Sequence, residues 1–75
     1  MDQNEYRDAI AKLGLTQVEA ARFLGVSERT GRRMAADSAS IPHAIAIALS
    51  LMIKFDITPK RALKIAKRDH WYDEN

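Results

Sequence analysis

The chain is expected to fold as a compact all-α bundle of five helices. Three observations predict this. Apolar residues recur at three- and four-residue spacing along most of the sequence. Capping hydroxyls, prolines and glycines stand where helices should start and stop. No segment combines β-branched enrichment with turn residues at hairpin spacing.

Tyr6, Ile10 and Leu13 share one face of a first helix, and Gly14 is a natural stop after them. Thr16 opens the second helix with Glu19 three residues on, the capping-box pattern. Ala20, Ala21 and Leu24 form its inner face, and Gly25 suits the left-handed residue that ends it. Val26 plugs the turn. Ser27 is a good N-cap for a third helix running to about Ala36. The small polar stretch DSASI reads as a loop. Pro42 fits the first turn of a fourth helix, where a missing N–H costs nothing. HAIAIALSLMIKF alternates in places, but its length and alanines favour a helix, and one apolar nearly all round is expected to be buried. Ile41, Ile45, Leu49, Met52 and Phe55 are its expected core rib. Thr58 and Pro59 announce a fifth helix over residues 58–68, with Ala62, Leu63 and Ala66 on one face. Trp71 and Tyr72 lie beyond its expected end.

Seventy-five residues, with no internal repeat or linker, suffice for a single domain covering residues 1–75. Absence of cysteine excludes disulfides and thiolate metal sites and is consistent with a reducing compartment. The opening MDQNEYRD is acidic and polar, unlike a targeting peptide, and residues 41–55 are too short to span a bilayer. A soluble cytoplasmic protein is expected. Net charge is only +2, but its distribution is uneven. Residues 16–36 carry four arginines against two glutamates, and residues 58–68 carry five cations and no acid. Two basic zones on a nearly neutral body suit a local anionic partner, although solvated helix faces would look the same.

The segment TQVEAARFLGVSERTGRRM carries the main functional signal. Two short helices joined by a glycine turn allow one helix to enter the major groove of DNA while the other braces against phosphates. Ala21 stands where the helices should cross, and a larger side chain would push them apart. Val26 and Met34 should bury the underside, leaving Ser27, Glu28, Arg29, Arg32 and Arg33 to project outward. Guanidinium groups bind guanine edges or phosphates bidentately. Glu28 either accepts from a cytosine amino group or stabilises the helix start and holds Arg32 four residues on.

Together, LGLTQVEAARFLGVSERTGRRM and IPHAIAIALSLM resemble the lambda-repressor-like helix-turn-helix domain of the Cro and XRE type. The resemblance covers residues 10–55. It is most specific at Leu15-Thr16-Gln17, Ala21, Leu24-Gly25-Val26-Ser27, Pro42 and the apolar helix that follows. It implies a motif over residues 16–36. Gln17 would contact phosphate or a base, and Ser27, Glu28, Arg29, Thr30, Arg32 and Arg33 would lie on the recognition helix. The loop with Ser38 and Ser40 would touch the DNA backbone. The implied activity is sequence-specific binding of double-stranded DNA at a palindromic operator by a homodimer. The implied role is a transcriptional repressor of phage or mobile-element type. Gly31 departs from the pattern, standing where the family has Val or Ile packing the recognition helix onto the core. Either a neighbour fills the gap or the helix is loosely held until DNA orders it.

No enzyme is expected, since no nucleophile–base pair or paired carboxylates can be placed in a pocket. No cofactor, metal, membrane or small-molecule ligand is expected either. His43 has two readings, a phosphate contact or a solvent-facing first-turn residue. His70, beside Asp69, Asp73 and Glu74, reads as part of an acidic tail rather than a metal site. The fifth helix has three readings: phosphate contacts from its basic face, a dimer contact through Leu63 and Ala66 with Trp71 or Phe55, or a cover over the core. The competing functional reading is a protein-interaction module, antitoxin-like or adaptor, whose fifth helix binds an acidic partner.

Overall fold

The structure is a computed structural model that describes residues 1–68. His70, Trp71 and Tyr72, and the readings placed on them, lie outside the described residues. Among the described residues the chain is all-helical. α1 (Gln3–Lys12), α2 (Gln17–Leu24) and α3 (Glu28–Ala36) are followed by a 3-10 turn (Ser38–Ser40), α4 (His43–Lys54) and α5 (Pro59–Arg68).

Local chemistry accounts for the boundaries. Asp2 and Glu5 form a reciprocal capping box on α1, and Thr16 and Glu19 form another on α2. Each satisfies two of the backbone donors that a helix start leaves unpaired. Gly25 ends α2 at φ +75°, a left-handed conformation costly for most other residues. Ser27 Oγ accepts from the Thr30 N–H to start α3. Pro42 sits one residue earlier than the sequence suggests, as the N-cap of α4, and its carbonyl accepts from Ile45 and Ala46. Thr58 Oγ1 accepts from the Arg61 N–H at the start of α5. DSASI is more ordered than a plain loop. Asp37 caps it by accepting from the Ala39 N–H.

The core gathers Tyr6, Ala9 and Ile10 of α1, Ala20 of α2, Met34 and Ala35 of α3, and Leu49 of α4. Leu13, Leu15, Leu24, Val26, Ile41, Ile45 and Ile53 pack around it. Three alanines in so small a cluster let the helices approach closely. α4 departs from expectation. Leu49 and Met52 are buried, but Ile47 and Leu51 are 53% and 50% exposed, and Phe55 is 64% exposed. Phe55 is therefore not part of the core rib, and α4 is not buried all round. Its main partner is α1, and Phe55 lies beyond its last turn as the C-cap. Among the described residues, the buried cluster draws on α1 to α4, and on α5 Leu63 and Ile65 stay 39% and 49% exposed while Ala62 and Ala66 are half-buried.

Gly31 is buried against α2, and there is no gap beside it. A methyl carbon placed on Gly31 would lie 2.8 Å from Ala21 Cβ and 3.7 Å from the Gln17 carbonyl oxygen. The missing side chain is answered by closer approach of α2. Ala21 and Gly31 are thus the point where the two helices cross.

Two outcomes follow from this packing. Gly31→Ala should destabilise the chain by about 1–3 kcal/mol despite the better helix propensity of alanine, because the helices must separate. Adding Ala21→Gly should recover part of the loss in urea denaturation, whereas additive losses would place the crossing elsewhere. Tyr6 is wholly buried, and its hydroxyl finds no hydrogen-bond partner among the described residues. Burial raises its pKa above the ordinary 10.0. Above that pH an unfolded tyrosine releases its proton while the folded one retains it, so this residue makes stability fall as pH rises through its unfolded value. Tyr6→Phe should remove that component and raise stability near neutrality by roughly 1 kcal/mol. Melting curves of both proteins at pH 7 and above pH 10 check this.

Candidate nucleic-acid interface

The face of interest is built on α3. Gly31, Met34 and Ala35 occupy its inner side, three and four residues apart, and are buried. That placement turns Glu28, Arg29, Arg32 and Arg33 outward, and all four are exposed. Thr30 sits between the two sides, half-buried, and its hydroxyl accepts from Ser27 Oγ at 3.0 Å. Ser27 and Thr30 are therefore engaged in starting the helix, although Ser27 remains exposed.

Glu28 Oε1 lies 3.7 Å from an Arg32 guanidinium nitrogen, one turn apart on the exposed face. In water such a pair is weak, worth about 0.3–0.5 kcal/mol, so Arg32 is easily released to a stronger anion. Arg29 and Arg33 make no ion pair among the described residues. Three cations against one acid make the outer surface of α3 locally positive.

Close packing of α2 brings the Gln17 backbone against the inner side of α3. Its carbonyl oxygen approaches the middle of α3 at Gly31, and the residue itself is exposed in the first turn of α2. The N–H groups of that turn point out of the helix start, where anions are favoured. Gln17 thus starts the helix that packs on the buried side of α3, while remaining exposed itself.

Ser38 and Ser40 lie past the end of α3 and are engaged differently. Ser38 Oγ accepts from the Gln3 N–H at 3.0 Å and donates to Gln3 Oε1. Ser40 Oγ donates to an Asp37 carboxylate oxygen at 3.2 Å. Both hydroxyls tie the segment to its own chain, and the Asp37 charge sits among them. His43 is exposed in the first turn of α4. Among the described residues no group of three or more His, Cys, Asp or Glu side chains could hold a metal ion, and no helix is long and apolar enough to cross a membrane.

Sequence reasoning missed two supports of this face. Arg7 Nε donates to the Ala35 carbonyl at 2.7 Å, satisfying one of the acceptors that the end of α3 leaves unpaired. The Gln3–Ser38 tie holds the next segment from α1. Both join residues about thirty positions apart, which local patterns do not reveal. The one available signal was D-x-x-E over residues 2–5, which fixes the start of the helix that carries both.

Comparison with known protein families, with functionally characterised proteins and with solved structures returned no match to this chain.

Arg7→Ala should leave the Ala35 carbonyl without its charged donor and cost about 1–2 kcal/mol. Amide hydrogen exchange should accelerate most in the last turn of α3. Acceleration spread evenly over the chain would mean that Arg7 contributes only to general stability.

Proposed function

We propose that the chain is a sequence-specific double-stranded DNA-binding transcriptional regulator of the lambda-repressor-like helix-turn-helix type. α2 and α3 are its motif and α3 its recognition helix. The observation that carries this reading is the exposed arginine face of α3, Arg29, Arg32 and Arg33, on a helix whose inner side packs against α2. Guanidinium forks on a helix of this width fit the donor and acceptor pattern of the major groove. Gln17 and the first-turn amides of α2 bind phosphate and set the register. Arg29 and Arg32 read base edges, and Glu28 releases Arg32 when a stronger partner arrives. Ser27 and Thr30 start the helix and line its edge. Ser38 and Ser40 have a supporting role, since their hydroxyls are already used within the chain. Regulation is repression by occupancy of a promoter.

The competing reading, a protein-interaction module, draws on the exposed cations Lys60, Arg61 and Lys64 of α5. Selection from a random duplex pool separates the two. Enrichment of a consensus sequence is expected, and a pool that stays random after repeated rounds would favour the module.

On the selected duplex, Arg29→Ala or Arg32→Ala should weaken binding by about 1–3 kcal/mol each and relax preference at one base position. Wild-type affinity should fall with salt, with a log–log slope of about −0.9 per phosphate neutralised. Fluorescence anisotropy at several salt concentrations measures both effects. Unchanged affinity in both variants would remove α3 from the reading role.

A further inference from the structure

α5 carries charge that neither the core nor the α3 face uses. At about 100° per residue, Lys60, Arg61 and Lys64 share one arc of this helix, and Pro59, Ala62, Leu63 and Ala66 share the opposite one. Pro59, Ala62 and Ala66 are half-buried, so the apolar arc is turned to the body of the protein. The three cations are exposed and make no ion pair among the described residues. They line one surface depression with Asp56, Thr58 and Ile65. Asp56 is the one acid in that lining, and the exposed Lys54 adds a further cation at the end of α4. Over residues 54–75 the sequence sets six cations against four acids, of which Asp69, Asp73 and Glu74 lie outside the described residues. The cations are not placed to stabilise α5, since Lys60 and Arg61 stand in its first turn, where the helix dipole opposes positive charge.

We infer that the outer arc of α5 is a second nucleic-acid contact, which holds the phosphate backbone of duplex DNA without reading its sequence. The choice of partner rests on the DNA reading, but the contact uses none of the α3 residues. Two of the three cations are lysines, point charges that suit phosphate better than the paired edge of a base. Backbone binding needs no apolar anchor, because release of condensed counterions drives it. A protein partner would need such an anchor at the centre of the contact, and this arc has only Ile65 at its edge. A lipid surface fits less well still. An interfacial helix inserts its apolar arc, and on α5 that arc faces the body of the protein. The α5 contact therefore supplies hold on any duplex at low salt and leaves the choice of sequence to α3.

Fluorescence anisotropy of the full chain on a duplex of random sequence, at several salt concentrations, tests this. Replacing Lys60, Arg61 and Lys64 together by Gln should reduce the log–log salt slope by about 2.7, at about 0.9 per phosphate, and weaken binding at least about tenfold at low salt. Lys64→Gln alone should reduce the slope by about 0.9. Lys12→Gln removes the same single charge from a side chain paired with Asp8 at 3.3 Å, and should leave the slope unchanged. All four positions are exposed, so melting curves should match wild type. The triple variant should lose the same factor on random and on selected duplex, whereas Arg29→Ala should lose more on the selected one. A wild-type slope in the triple variant overturns the α5 contact and leaves the α3 reading standing. An α5-dependent slope with no consensus from selection keeps the contact and removes the α3 reading. A wild-type chain that binds no duplex at low salt overturns both. Binding of polyglutamate, or of vesicles of phosphatidylserine and phosphatidylcholine, that depends on the three cations while duplex binding does not, overturns the contact in favour of an acidic protein or a lipid surface.

Discussion

The contact between Ala21 and Gly31 governs how the rest of the molecule is arranged. With only a methyl on one helix and no side chain on the other, α2 and α3 approach until a carbon added to Gly31 would stand 2.8 Å from Ala21 Cβ. At that separation Gly25 closes the turn, Met34 and Ala35 reach the core, and the outer side of α3 is set at a fixed angle to the start of α2. Glycine inside a helix costs about 1 kcal/mol relative to alanine. The close packing it permits offsets that cost, since interiors at crystal-like density gain dispersion contacts from every fraction of an ångström.

Around this crossing the polar residues divide into those that build and those that remain available. Thr16, Glu19, Ser27 and Asp37 satisfy helix starts, Arg7 satisfies the end of α3, and Ser38 bonds back to α1. Arg29, Arg32 and Arg33 are exposed; Arg29 and Arg33 make no ion pair among the described residues, and Arg32 is engaged only in the weak exposed pair with Glu28. A rigid helix carrying unspent guanidinium groups loses little conformational freedom in meeting a charged, grooved surface.

Much of the fold could be read from local chemistry. The capping boxes, the glycine turn and the Thr58–Pro59 start each depend on residues within four positions of one another, so their boundaries were legible. α4 was harder to read because periodicity identifies an apolar helix without saying how many neighbours cover it. α1 is its main partner, and Ile47, Leu51 and Phe55 stay outside. Gly31 was legible as a departure, but the closeness of α2 depends on tertiary packing. The Arg7 and Ser38 ties join distant parts of the chain and left no local trace. Of the candidate site, the outward turn of the arginines followed from spacing, whereas the occupation of Ser38 and Ser40 did not.

The central claim is that α3, braced on α2, meets duplex DNA. Its most direct test is a titration of isotope-labelled protein with the selected duplex, followed by backbone amide chemical shifts. The largest changes are expected across residues 27–33 and at the start of α2, around Gln17 and Val18. Changes confined to α5, or none on adding a stoichiometric duplex at low salt, would contradict it.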